Sequence, residues 1–375
     1  MLPSRERSGL NNMKQTLAYY ITPHGFGHAI RSCEVLRQLT LLEPDRKIVV
    51  VSNLPEWLIE ENVGKRIPMR QAVLDIGLVQ DDSIRFDLDR TLTALNELLI
   101  NADELVRRER DFLQREKVGV VVSDISFLPF EAAHGEEIPS IGISNFTWDW
   151  IYRAYESTDP GWGRIVSRLR HYYGRCSLFL QLPLHGDCSS CPNIEDIPLV
   201  ARKARTSSDE VRHRLGYSNG DKVFLVSFSS LHLPEHALAK LEKLKDCHFL
   251  YKGPLRLPLA NARSIDDPGL PYVDVTAAVD AVITKPGYGI VSDCLANGTP
   301  IAYTERGLFP EYPILVEAIE ANLTAAYIPA EKFINGDWEE AMRQIYSRPR
   351  IIPEMEINGA EIAARRILSL LKYQQ

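Results

Sequence analysis

Short β-rich runs alternate with stretches of helical periodicity along almost the whole chain, and that alternation limits the fold to parallel sheets wrapped by helices. Residues 17–21 read as a buried first strand, and behind a Gly-rich turn Ile30, Cys33, Leu36 and Leu39 share one helical face. Residues 47–52 form the next strand, apolar without a break from Ile48 to Val51, as a strand covered on both faces should be. Further strands are predicted at 71–75, 118–123, 140–144 and 178–182, and one long helix from about 91 to 115. Residues 195–208, with Pro198 and a basic, polar stretch, break the rhythm and read as a linker. The alternation then restarts. Helices are predicted at 208–215 (capped by Ser207 or Ser208), 235–244, 290–297, 313–321 and 360–372, and strands at 222–227, 247–251, 281–284 and 300–303. Two open α/β domains facing across a cleft follow, at 15–206 and 207–355, with a terminal segment at 356–375 and a loose, polar leader at 1–14 in which Met13 is a candidate start.

Composition narrows what such a chain can bind. Its 375 residues, 45% hydrophobic and 25% charged, suffice for two cores. A net charge of −7 without long Lys/Arg runs argues against a nucleic-acid partner. No apolar run approaches the roughly 20 residues of a spanning helix, and peripheral contact with a membrane stays open. Six cysteines in a chain of this length make no disulfide framework. Cys188 and Cys191 sit in a loop with Gly186, Asp187 and Pro192, without a second pair to complete a zinc site, so they read as loop cysteines without a metal in a reducing cytoplasm.

Ligands of such sheets bind at the turns from strand ends into helices, and two Gly-rich turns stand there. The first is Thr22-Pro-His-Gly-Phe-Gly-His28. Gly25 and Gly27 let a ligand approach the backbone, and the helix start behind them suits an anion. His24 and His28 bracket the turn, and imidazole gains and loses its proton near neutrality, as a general base must. The second is Thr284-Lys-Pro-Gly-Tyr-Gly289, where Gly287 and Gly289 with Lys285 suggest a diphosphate cradle. Asp293, one turn further, suits a ribose diol, or simply the helix dipole. Neither turn completes a Walker or dinucleotide motif. Asp87-Leu-Asp89 resembles a metal-holding carboxylate pair, but Asp89 reads as the N-cap of the following helix. Asn145-Phe-Thr-Trp-Asp-Trp-Ile-Tyr152 sets Trp148, Asp149 and Trp150 just after a strand, a grouping that suits a sugar and plain packing equally.

At these residues the chain resembles the glycosyltransferase-like N-terminal region of plant L-arabinokinases. The resemblance rests on Thr22–Ala29, Asn145–Tyr152, Lys285-Pro-Gly-Tyr-Gly-Ile-Val-Ser-Asp293 and Ile357-Asn-Gly-Ala-Glu-Ile-Ala-Ala364, with Leu74–Gln80 and Asp196–Val200 beside them. It runs from Thr16 to Leu371 and departs at Pro23, where Gly is usual, and at Asp293, where Glu is usual. More distantly both halves are similar to GT-B glycosyltransferases of the lipid II N-acetylglucosaminyl transferase type. That similarity implies two Rossmann-like domains with a C-terminal helix crossing back to the first. It implies that the first turn faces the acceptor, with His24, Phe26 and Trp148 on that side, and that Gly25 and Gly27 also approach the donor. Lys285, Pro286, Gly287, Tyr288, Gly289, Ser292 and Asp293 would hold the donor's diphosphate and ribose, Ser229 a phosphate, and Glu311 sugar hydroxyls. The Gly/Ser-rich phosphate loop of the kinase half is not found in the 375 residues, so sugar phosphorylation is not implied.

The sequence therefore predicts transfer of a glycosyl group from a nucleotide sugar, UDP-linked by resemblance, to an unidentified acceptor, without metal or cofactor. His28 is the predicted base, with Asp149 as second choice. A hydrolase of the same fold and a non-catalytic sugar-nucleotide binding protein are the rivals.

Overall fold

The computed structural model describes residues 15–80, 86–265 and 269–372. The predicted leader at 1–14 lies outside the described residues, as do the last three of the terminal segment.

Two parallel sheets organise the chain. The first contains β1 (Thr16–Ile21), β2 (Ile48–Val51), β3 (Met69–Arg70), β6 (Val118–Asp124), β7 (Ser140–Ser144), β8 (Leu178–Gln181) and β9 (Ile194–Asp196) in the order β3-β2-β1-β6-β7-β8-β9; a short antiparallel pair, β4 (Val79–Gln80) and β5 (Phe86–Asp87), stands apart from it. The second contains β10 (Lys222–Ser227), β11 (Cys247–Tyr251), β12 (Ala262–Ser264), β13 (Ala281–Thr284), β14 (Ile301–Tyr303) and β15 (Ala325–Tyr327) in the order β12-β11-β10-β13-β14-β15. β1, β2 and β6 are fully buried, as strands covered on both faces should be. The strand order reverses between β1 and β6 and again between β10 and β13. In open α/β sheets such reversals leave the crevice where ligands bind.

Helix α1 (Phe26–Leu42) follows β1, and α2 (Glu56–Val63) follows β2. The terminal helix Gly359–Lys372 packs on α1, and its start is pinned by an isolated bridge between Val200 and Asn358. One buried apolar cluster runs from Leu17 and Ile141 in the first sheet, through Ala363 and Ile367 of the terminal helix, to Val223 and Leu225 in the second. The halves therefore share a continuous core around the cleft.

Several predicted elements differ. The long helix expected at 91–115 is two helices, Leu88–Ile100 and Ala102–Arg115, broken at Asn101 where ψ rises from the helical value of about −42° to 6°. Its cap is Asp87, whose carboxylate accepts from Arg90 N at 2.8 Å, and not Asp89, which lies inside the first turn. Residues 71–75 form no strand, because the ladder with β2 ends at Arg70. β9 occupies the start of the predicted linker. Ser207 caps the helix Ser208–Arg214.

Candidate active site

The two Gly-rich turns meet. Gly25 precedes α1 with φ at 73°, a conformation that a β-carbon disfavours. Gly287 precedes the helix Tyr288–Asn297. Neither helix start has a side-chain cap or an acidic residue in its first turn among the described residues, so no capping side chain there competes for those N–H groups. A β-carbon on Gly289 would lie 2.9 Å from Gly27 Cα, and one on Gly27 3.4 Å from Gly289 N. At Gly289 only glycine allows this approach, whereas a β-carbon on Gly27 would sit in ordinary contact. Two positive helix ends thus converge on one place, which favours an anion there.

A cavity of about 260 Å³ opens at that contact. His24, Gly25, Phe26, Gly27 and His28 line it from one half; Ser229, Lys285, Gly287, Tyr288, Gly289, Asp293 and Glu311 line it from the other. Pro286, Ser292, Trp148 and Asp149 do not. The Pro286 carbonyl accepts from Arg306 Nη1 at 3.1 Å, and Ser292 Oγ donates to the Gly289 carbonyl at 3.0 Å, so both shape the turn from behind. Trp148 is fully buried, donates from Nε1 to Asp75 Oδ2 at 3.2 Å and meets the His24 ring edge-on at 5.1 Å. It backs His24. Asp149 sits in the short helix Trp148–Arg153, about 100° round from Trp148, and its carboxylate accepts from Ser190 Oγ at 3.0 Å with Arg170 at 3.8 Å. It faces the loop of the buried free thiols Cys188 and Cys191, outside the cavity.

The group beside His28 is Asp124. In the ladder of β1 with β6, Ile21 pairs with Asp124, so this carboxylate closes β6 one strand away from the first turn. Asp124 Oδ1 lies 2.8 Å from His28 Nδ1. Arg31, one turn further along α1, donates from Nε to Asp124 Oδ2 at 2.6 Å and from Nη2 to Oδ1 at 2.6 Å and Ser144 Oγ at 2.6 Å. Arg31 Nη2 also lies 2.8 Å from His28 Nδ1, but its two protons are taken by Asp124 and Ser144. Nδ1 therefore carries the proton and donates to Asp124, which leaves the lone pair on Nε2. Burial alone would push the Asp124 carboxyl up; Arg31 and then His28 overrule it and hold it at about 2. Burial, reinforced by Arg31, pushes the His28 imidazole below its ordinary value against the pull of Asp124. The result is a neutral imidazole, oriented by a carboxylate, in the wall of the cavity.

Glu311 joins the halves. It accepts from Asn145 Nδ2 at 2.7 Å and from Arg306 Nη1 at 2.8 Å, and Asn145 in turn accepts from Arg31 Nη1 at 2.6 Å. The Arg31 guanidinium also lies 5.1 Å from the centre of the Tyr288 ring. Asp293 accepts from Arg202 N at 3.0 Å, Nε at 3.1 Å and Nη2 at 2.5 Å. A carboxylate has about four acceptor positions, so about one is left for a ligand hydroxyl. Among the described residues, His24 Nε2, Tyr288 Oη and Arg306 Nε are buried without a hydrogen-bond partner, and all three residues line the cavity. Unpaired buried polar atoms are costly, and their gathering at one place fits a polar ligand that completes them.

Asp124, Arg31, Arg202 and Arg306 were not among the predicted site residues. Asp124 had a signal: it is a carboxylate closing an otherwise apolar strand, one residue past the predicted end. Among the described residues no group of three or more His, Cys, Asp or Glu is arranged to hold a metal.

Comparison with known proteins fits this geometry. No protein-family model matches the chain. It is 30% identical over 354 residues to L-arabinokinase of Arabidopsis thaliana; the match takes in 92% of this chain and 33% of that protein, so the chain spans about a third of its relative's length. Among solved structures it superposes on the glycotransferase of kitacinnamycin with a TM-score of 0.57, at 16% identity and 96% and 99% coverage of the two chains. A ugt transferase from Siraitia grosvenorii in complex with UDP gives a TM-score of 0.53 at 12% identity, covering 96% and 99%. A putative UDP-N-acetylglucosamine 2-epimerase from Listeria monocytogenes gives 0.54 at 14% identity, covering 96% of each. The chain thus has the GT-B fold, and over nearly its whole length it is related to one third of a plant L-arabinokinase.

Proposed function

We propose that this chain transfers a glycosyl group from a nucleoside diphosphate sugar to an acceptor hydroxyl. The observation that carries the reading is the convergence of two uncapped helix N-termini, through Gly27 and Gly289, beside the His28–Asp124 pair. An anion belongs at the first and a proton acceptor at the second. The diphosphate would lie against the N–H groups of the second turn with Lys285 beside it, and as the sugar leaves, these positive groups stabilise the charge that develops on the leaving phosphate. His28 Nε2 takes the proton of the acceptor hydroxyl; Asp124 holds the ring in the required tautomer and stabilises the imidazolium that forms. Glu311 and Arg306 stand where donor sugar hydroxyls would be read, and Asp293, steadied by Arg202, has one acceptor position for the ribose. Asp149 has no part in this scheme.

That a solved relative in fold holds UDP supports a uridine donor, and the fold also serves an epimerase of UDP-N-acetylglucosamine. The test is incubation with UDP-linked and other nucleotide sugars, with and without candidate acceptor sugars, followed by mass spectrometry. A glycosylated acceptor with free nucleoside diphosphate is expected. Free sugar formed without any acceptor would assign hydrolysis instead. Tight calorimetric binding with no turnover would assign a sensor.

A further inference from the structure

Helix α2 presents one face to the second half of the chain. Glu61 pairs with Lys252, and Asn62 accepts from Arg202 Nη1 at 2.8 Å. One turn earlier, at the i−4 positions of the same face, stand Trp57 and Leu58. Leu58 is buried in the core, whereas Trp57 lines the cleft with 49% of its surface still exposed. An indole left half in water on the wall of a ligand cleft is apolar area that a bound planar group can cover. Lys252, Gly253 and Pro254, which follow β11, line the same cleft from the second half.

The sheet order says which part of a ligand would reach this place. Along β11-β10-β13-β14, the strand ends carry in turn Lys252–Pro254, Ser227–Ser229, the second Gly-rich turn, and Arg306 with Glu311 beyond it. Neighbouring strands are roughly 4.8 Å apart, so the end of β11 lies about 10 Å from the anion cradle, on the side away from Arg306 and His28. A nucleoside diphosphate sugar is a linear string of sugar, diphosphate, ribose and base. With its sugar at His28 and its diphosphate at the second turn, its base falls beside Trp57.

We propose that Trp57, with the Glu61–Lys252 ion pair beside it, is a clasp by which the first half of the chain covers the nucleobase held by the second. The inference rests on the nucleotide-sugar reading above. The indole stacks on the base, and the ion pair closes the cleft over it. Because every base has a π-face, the clasp adds affinity without choosing among bases. Because Trp57 and the diphosphate cradle belong to different halves, a bound nucleotide ties the halves together.

The experiment is calorimetric and fluorimetric titration of the whole chain with UDP, ADP, GDP and inorganic diphosphate. Trp57 is the tryptophan to watch, since Trp148, Trp162 and Trp338 are buried and Trp150 is partly buried. UDP is expected to quench the wild-type emission. Trp57→Ala should weaken all three nucleotides by a similar factor, on the order of 10-fold, and leave inorganic diphosphate unchanged. Trp57→Phe should restore most of the affinity without the quenching. Because the side chain is half exposed, an unchanged melting temperature is expected and shows that each variant is folded. Nucleotide affinities in Trp57→Ala equal to wild type would overturn the clasp and leave the proposed function standing. A wild-type chain that binds neither nucleotides nor diphosphate would overturn both. Equal weakening of diphosphate and nucleotides would show that Trp57 acts on the cradle and not on the base, and would also overturn the clasp.

Discussion

The first and second Gly-rich turns are built alike and are backed by different partners. Each follows a buried parallel strand, each ends in a glycine before an uncapped helix, and each brings a positive helix end to the same cavity. They differ in what stands behind them. Behind the first, the charges of Arg31 and Asp124 are spent on one another and on His28, whose neutral ring lines the cavity beside Arg31 with the lone pair on Nε2. Behind the second, Asp293 is spent on Arg202, while Lys285 adds its charge at the cavity wall. Under the proposed function, the same local geometry serves as a proton acceptor in one half and an anion cradle in the other. Which it becomes depends on partners from distant parts of the chain.

Substitutions can separate the two roles. The largest effect is expected from His28→Ala, which removes the base. Transfer should fall by about 10²–10⁴-fold while UDP affinity in calorimetry stays within a few-fold of wild type. Equal loss of both would place His28 in the cradle and dissolve the distinction. Lys285→Met should do the reverse. UDP affinity should drop on the order of 10-fold, near 1.4 kcal/mol, and the loss should shrink as salt is raised.

The smallest effect concerns pH. Burial lowers both His24 and His28 in the folded protein, His24 most strongly, with nearby positive groups reinforcing it. A histidine that is harder to protonate folded than unfolded binds fewer protons in the native state. Its contribution is complete above the ordinary value near 6.5 and is lost as pH falls below it. Asp75, raised by burial to about 6, works the other way: its folded form takes up a proton more readily, so it costs stability as pH rises through 6. The melting temperature should therefore decline by a few degrees between pH 7 and 5, partly offset by Asp75. His24→Leu should flatten that decline. In transfer assays the acid limb should lie below pH 6.5, since His28 must stay neutral to accept a proton. An acid limb above 6.5 would contradict the burial argument.

The two turns were legible in the sequence because each is a local signal: an apolar run, glycines and a helix start lie within about ten residues. Asp149 shows where local reading fails. Its neighbours form a sugar-like motif, but helix geometry puts Trp148 and Tyr152 against the core and turns Asp149 toward Ser190. The break at Asn101 was equally hidden, since both helices keep the same apolar spacing across it. Trp148, expected on the acceptor side, packs against His24 from within the core and does not line the cavity.

The sequence by itself determined two parallel α/β halves and the residue types at their strand-to-helix turns, because apolar periodicity and glycine placement act over a few residues. Tertiary structure alone decided what those turns became. Asp124 reaches His28 across 96 residues because the β1–β6 register pairs Ile21 with Asp124. Arg202 reaches Asp293 across 91, and Gly27 touches Gly289 only because the two sheets pack around a shared core. Buried charges must find partners wherever the fold supplies them, and no local pattern records where that will be.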